Sequence, residues 1–263
     1  MGSDAKSGGP LAGKRALVTG AARGIGQAVA VELAALGTDL LLTARDVGTL
    51  ADTQSRLPSD TTVTCQSLDL SDRDDITAFL SNLNDPVDIL VNNAGLAPSA
   101  PLEKTKLNAW DEVYQVNVTA PFMLQQGLVP AMKDRGWGRV VNVASTAGLI
   151  GYPFTAAYVS SKHGMVGLTR ASAVELGAHG ITVNAICPNH VTTGLGAQQN
   201  EYVSKLLGFD TVEDYLANMS AKNPMGRPGL PSDTAAACLW LASDEAFYVT
   251  GEALNVSGGE EMH

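Results

Sequence analysis

Tyr158 and Lys162 stand four residues apart in a stretch, residues 156–170, that reads as helix, so both side chains project from one face, one turn apart. A phenol titrates at about 10 in water, too high for a base at neutral pH. A neighbouring ammonium favours phenolate over phenol, and Tyr158 can then exchange a proton with a substrate oxygen. Alone, such a pair reads as an ordinary surface contact. Ser145 changes that balance: it ends an apolar run thirteen residues before Tyr158 and can hydrogen-bond the same carbonyl or hydroxyl. Thr146, Ser160 and Ser161 offer the same chemistry at this point.

A second chemistry lies near the start of the chain. Thr19-Gly20-Ala21-Ala22-Arg23-Gly24-Ile25-Gly26 follows an apolar run and opens directly into a helical stretch. Glycines there permit a tight turn and a close backbone approach, and a helix N-terminus offers free N–H groups to a pyrophosphate. The spacing is G-x-x-x-G-x-G. At the end of the second apolar run, Leu42-Thr43-Ala44-Arg45-Asp46, an acidic residue would accept the 2′-hydroxyl of NAD and a cation would pair with the 2′-phosphate of NADP. Ala44 occupies the acidic position and Arg45 follows it, with Arg23 as a second guanidinium, so the sequence favours NADP. NAD remains possible, with Asp46 on the ribose.

Positioning these groups requires a scaffold, and the chain repeats one unit: a short run rich in Val, Ile and Leu, a turn, then a stretch of helical period. The runs are residues 15–18, 40–43, 62–65, 89–92, 139–143, 181–186 and 253–256; the helical stretches lie near 25–36, 49–57, 73–83, 108–133, 155–176 and 232–241. Strands buried on both faces read as continuous apolar runs, and alternation with helices gives a parallel sheet covered on both sides. The expectation is a Rossmann-type, doubly wound α/β fold of about seven parallel strands. Residues 13–263 read as a single domain, behind a Gly/Ser/Pro/Lys-rich tail over residues 1–12. Five strand ends carry small or polar residues: Thr19-Gly20, Asp69, Asn92 through Gly95, Ser145, and Pro188-Asn189-His190. One such end is a turn; five together indicate a ligand crevice. Residues 194–231 contain no strand pattern and are too long for a plain connection, so they read as a helical lid over the substrate.

Composition narrows the field. The 263 residues carry 27 acidic and 17 basic side chains, a formal charge of −10, without the basic excess that a nucleic-acid or anionic-membrane binder needs. No apolar run approaches the length of a membrane helix, and the first residues lack the apolar core of a secretory signal. Cys65, Cys187 and Cys238 are far apart in apolar surroundings and read as buried thiols, not as bridges or metal ligands, which suits a reducing cytoplasm.

The glycine loop, Asn92-Asn93-Ala94-Gly95, the set Ser145…Tyr158-x-x-x-Lys162, and Pro188 through Thr193 together resemble the short-chain dehydrogenase/reductase family, over residues of about 13–259. The resemblance implies an NADP-dependent oxidoreductase, ketoreductase-like, moving a hydride between nicotinamide and a ketone or secondary alcohol. It selects Ser145 as the residue that polarises the oxygen, with Tyr158 as acid/base, and gives Lys162 the nicotinamide ribose. It implies that Asn117 orients a water joining Lys162 to solvent, that Asp69 meets the adenine amino group, and that Val191 and Thr193 hold the carboxamide. Gly20, Arg23, Gly24, Ile25, Gly26, Arg45, Asn92, Ala94, Gly95 and Pro188 complete the implied cofactor contacts. Asn189 stands where relatives usually have Gly, a departure that asparagine's tolerance of left-handed geometry accommodates. His190 reads as a polar wall. The family packs two long helices against a neighbour's pair, then joins dimers through the last strand, so a homotetramer is expected. The alternatives are an NAD-dependent polyol, sugar or hydroxy-acid dehydrogenase, and a non-catalytic dinucleotide sensor. The sensor would be expected to lack the Tyr or the Lys.

Overall fold

The structure, a computed structural model, describes residues 9–191 and 194–262. Seven strands form one parallel sheet: β1 (Arg15–Thr19), β2 (Asp39–Ala44), β3 (Val63–Ser67), β4 (Ile89–Asn92), β5 (Gly138–Val143), β6 (Ile181–Pro188) and β7 (Ala253–Val256), in the order 3-2-1-4-5-6-7. The apolar runs form strands because both their faces are covered. Leu17, Leu41, Leu42, Leu90, Val91, Val141 and Val183 are wholly buried, on alternating sides. The chain leaves β1 toward β2 and β3, then crosses back to lay β4 on the other side of β1, which opens a crevice between the ends of β1 and β4.

The helices are α1 (Gly24–Ala35), α2 (Ala51–Ser55), α3 (Arg73–Ser81), α4 (Leu107–Tyr114), α5 (Ala120–Arg135), α6 (Ala156–Leu176), α7 (Gly194–Leu206), α8 (Val212–Lys222) and α9 (Pro231–Ala242). Val29 and Leu33 of α1 meet Ala235, Cys238 and Leu241 of α9 over one face of the sheet. Ile76 and Phe79 of α3, Leu124 and Met132 of α5, and Leu176 of α6 cover the other. Asp72 caps α3, accepting from the Asp74 N–H at 2.9 Å.

Four expectations change. Residues 9–12 do not belong to a tail: Leu11 is buried in the core and its N–H donates to Leu36 O at 3.1 Å. Cys65 is only half buried, because β3 is an edge strand; Cys187 and Cys238 are buried, and all three thiols are free. The long helix expected over 108–133 is broken into α4 and α5 by a π-helical turn, Gln115–Thr119. Finally, the stretch near 49–57 is a 3-10 turn, Val47–Leu50, leading into the short α2. Among the described residues no helix is long and apolar enough to cross a membrane.

Candidate active site

The crevice is built on glycines because nothing larger fits. Gly20 and Gly24 have φ of 64° and 61°, the left-handed region that glycine enters freely. Gly26 sits inside the first turn of α1, where a Cβ would fall 2.4 Å from both Asn93 Nδ2 and Gly20 O. Asn93 Nδ2 donates to Thr19 O at 2.9 Å and Gly20 O at 3.1 Å, while Thr19 Oγ1 accepts from the N–H groups of Asn93 and Ala94 at 3.0 and 3.1 Å. The turns after β1 and β4 are thereby bolted together across the crevice. Arg23, the N-cap of α1, provides no side-chain cap, so the first N–H groups of the helix are left for an outside acceptor at its positive end. Ile25 packs its side chain on the core behind the loop. This geometry fits a pyrophosphate.

Asn92 is placed differently from its neighbour. Its side chain is buried within the sheet layers, donating to Asn142 Oδ1 at 2.8 Å, and Asn142 in turn donates to Thr169 Oγ1 at 2.9 Å. Asn93, together with Thr19, is the side chain that shapes the crevice. Both lie in strand ends that the sequence marks for the crevice, yet neither stands among the cofactor contacts the resemblance implies.

Arg45, just past β2, and Arg23, in the loop after β1, are both exposed. Asp46 is engaged: its Oδ1 accepts the Gly48 N–H at 2.8 Å, capping the 3-10 turn. Asp69 does not cap α3. It accepts from the hydroxyl and N–H of Ser71 at 2.7 and 2.9 Å, which, with the more distant Arg45, holds its carboxyl below the usual range.

The opposite end of the crevice brings β5, α6 and the π turn together. Lys162 is buried, with Nζ donating to Val143 O at 2.7 Å and lying 5.6 Å from the centre of the Tyr158 ring. Burial pulls its pKa down to about 8. Tyr158 behaves otherwise than its spacing to Lys162 suggests: desolvation raises its pKa, and the opposing influence is a hydrogen bond with the Ser145 side chain. In the protein alone, therefore, the phenol holds its proton and is poised as a donor. Acting as a base requires further positive charge beside it.

Ser145 separates itself from its rivals by what each hydroxyl does. Ser160 Oγ donates to Ala156 O at 2.7 Å and Ser161 Oγ to Tyr158 O at 2.8 Å, while Thr146 Oγ1 pairs with the Tyr152 hydroxyl at 3.0 Å. Ser145 Oγ accepts the Ala147 N–H at 3.1 Å and faces the Tyr158 phenol. Asn117, in the π turn, is wholly buried. Its Oδ1 accepts the Leu96 N–H at 2.8 Å, and its Nδ2 donates to Leu96 O at 2.9 Å and Ser161 Oγ at 3.0 Å. A Cβ on Gly95 would lie 3.3 Å from Asn117 Oδ1 and 3.8 Å from Lys162 Nζ, so the amide and the ammonium border one small space that glycine leaves open. A π turn adds one residue to a helix, and here it carries Asn117 inward.

The loop after β6 lies at the same end of the sheet. Val191 pairs with Gly229 in a parallel bridge, which ties both ends of the segment carrying α7 and α8. Pro188 ends β6, and burial lowers the pKa of His190, keeping the imidazole neutral. Thr193 lies outside the described residues.

The sequence pattern of the short chain dehydrogenase family matches residues 14–203, most of the chain, with the glycine loop, Asn117, Ser145, Tyr158 and Lys162 inside it. The chain belongs to the short chain dehydrogenase family. It is 35% identical over 254 residues to D-beta-hydroxybutyrate dehydrogenase of Rhizobium meliloti strain 1021, an alignment covering 94% of this chain and 98% of that one. Similarity to the 3-oxoacyl-acyl-carrier-protein reductase of Vibrio harveyi is also 35%, over 96% of this chain and 99% of the relative. Among solved structures, an actinorhodin polyketide ketoreductase variant with NADPH superposes with a TM-score of 0.90 at 34% identity, covering 97% of this chain and 100% of that one. As a short chain dehydrogenase, this protein is an NAD(P)-dependent oxidoreductase that interconverts hydroxyl and keto groups.

Proposed function

We propose that this short chain dehydrogenase is an NADP-preferring ketoreductase in which Tyr158 passes a proton to or from the substrate oxygen and Ser145 holds that oxygen by hydrogen bond. The observation that carries this is one hydroxyl pair, the Ser145 side chain at the Tyr158 phenol, with every rival hydroxyl engaged elsewhere. The nicotinamide, when bound, supplies or accepts the hydride. Lys162 holds the ribose, and its ammonium, pinned at Val143 O, favours the phenolate when Tyr158 must act as a base. Asn117 fixes the loop after β4 to α6 and borders the space beside Lys162 where a water can carry the proton outward. Helices α7 and α8 form the lid, anchored at Val191 and Gly229.

NADP is favoured over NAD because Asp46 is committed to the Gly48 N–H while Arg45 and Arg23 stand exposed at the same edge. Arg45→Ala should weaken NADPH at least about tenfold, the value of a charge-assisted phosphate contact, and NADH less than about twofold. Fluorescence titration of both reduced cofactors reads this directly; equal loss for the two would refute it.

The protein is further proposed to be a cytoplasmic homotetramer. Phe122 on α5, Val174 on α6, and Trp240, Phe247 and Tyr248 near the edge strand β7 are all exposed, apolar surface that a single chain leaves in water. Sedimentation at micromolar concentration should give a mass of four 27.3 kDa chains, and a fully active single chain would contradict it.

A further inference from the structure

The last residues of the chain return to the substrate side of Tyr158. After β7 the backbone turns at Gly258 and Gly259, with φ of 63° and 86°. A Cβ on Gly258 would fall 2.5 Å from Asn223 Oδ1, and Asn223 Nδ2 donates to Ser257 O at 3.0 Å, so the turn is locked to the end of α8. Asn189, at the position where a glycine was expected, donates from Nδ2 to Ser257 O at 3.1 Å and to the carboxylate of Glu260. The asparagine thus tethers the C-terminal segment to the loop after β6, directly beyond Pro188.

Glu260 is half buried there, between three elements. On one side is Asn189. The other neighbours are Tyr152, whose hydroxyl meets Thr146 beside Ser145, and Tyr215 of α8. Burial raises the pKa values of both phenols; Glu261 and then Glu260 add to the rise at Tyr152, and Glu260 adds to it at Tyr215. Among the described residues no ion pair joins a cation to Glu260. Arg227 is clamped to Asp233 at 2.6 and 3.0 Å, Lys205 is paired with Glu201 at 2.8 Å, Lys162 points inward to Val143 O, and His190 is kept neutral.

We propose that Glu260 is a specificity-determining residue that makes this a site for uncharged carbonyl compounds, excluding keto acids and other anionic substrates by repulsion across the pocket. This rests on the reading that the substrate oxygen meets Tyr158 and Ser145. Ser145 follows the end of β5, which pairs with β6, and Asn189 follows β6 directly, so Glu260, held by Asn189, stands at the same end of the sheet as Ser145 and an anionic group carried on a small ketone meets its charge there.

The test uses a series of neutral β-keto esters and the β-keto acid corresponding to each, reduced with NADPH by the native protein, Glu260→Gln and Glu260→Lys. Gln keeps an acceptor for Asn189 and removes only the charge. In the native protein each ester should exceed its acid in kcat/KM, and Glu260→Gln should raise the acids about tenfold, the size of a partly screened like-charge repulsion, with the esters within about threefold. Glu260→Lys should raise the acids further. Added salt should raise kcat/KM for the acids in the native protein and not in Glu260→Gln. Acids preferred by the native protein, or an ester-to-acid ratio that neither variant moves, would overturn the inference. Complete absence of NADPH oxidation with every pair is a different result and overturns the underlying reading of the site as well.

Discussion

Tyr158→Phe is expected to lower kcat/KM by about 10³-fold, within the range that a positioned general acid contributes, while NADPH binds with a dissociation constant within about threefold of native. The variant removes one oxygen and keeps the ring, so the packing of α6 and the position of Lys162 at Val143 O stay in place. The loss should therefore fall on turnover. Stopped-flow reduction of a saturating ketone, with a parallel cofactor titration, separates the two quantities. Residual activity above about a tenth of native would place the proton transfer elsewhere, because among the described residues the rival hydroxyls of Thr146, Ser160 and Ser161 are each engaged.

Lys162→Met should be nearly as damaging and should also alter the pH dependence of stability. The ammonium holds the ribose and favours the phenolate, so kcat/KM should fall by about 10²–10³-fold. Burial sets the pKa of Lys162 at about 8 in the folded protein, against 10.5 ordinarily. Between those values the unfolded chain binds the extra proton, so this residue makes the cofactor-free protein more stable as pH rises through 8. Cys187 and Cys238, raised by burial to about 11 and about 12, pull the other way only above their ordinary value of 9.0, and Tyr158 only above 10.0. The window from pH 8 to 9 therefore isolates the lysine. Denaturant midpoints should rise across it in the native protein and stay flat in Lys162→Met; parallel curves would mean that the ammonium is not buried.

Much of this was legible in the amino-acid sequence, for a definite reason. Strands such as β1, β4 and β6 are buried on both faces, so their apolar runs end where the strands end, and Thr19, Asn92 and Pro188 mark those ends within two residues. The spacing of Tyr158 and Lys162 survives because one helix carries both. What was not legible depends on contacts between distant segments. The π turn that turns Asn117 inward has no composition of its own. Asn92 and Asn93 are adjacent and identical, and only the pleat of β4 decides that the first joins Asn142 and the second the glycine loop. Asp46 could serve a ribose or cap a turn, and only the fold brings its Oδ1 to the Gly48 N–H. Glu260 was invisible as a site residue, because a carboxylate near a chain end acquires a position only from Asn189 and Asn223, 71 and 37 residues earlier.

The central claim is that a hydride moves between the cofactor and a carbonyl carbon whose oxygen is held by Ser145 and Tyr158. Reduction of a ketone with NADPH deuterated at nicotinamide C4, on one face and then on the other, tests it most directly. Deuterium from one face alone should appear at the carbinol carbon of the product, in equal amount to the NADPH consumed, and Tyr158→Phe should stop both together. Product without label from either face, or label that continues to transfer at the native rate in Tyr158→Phe, would contradict it.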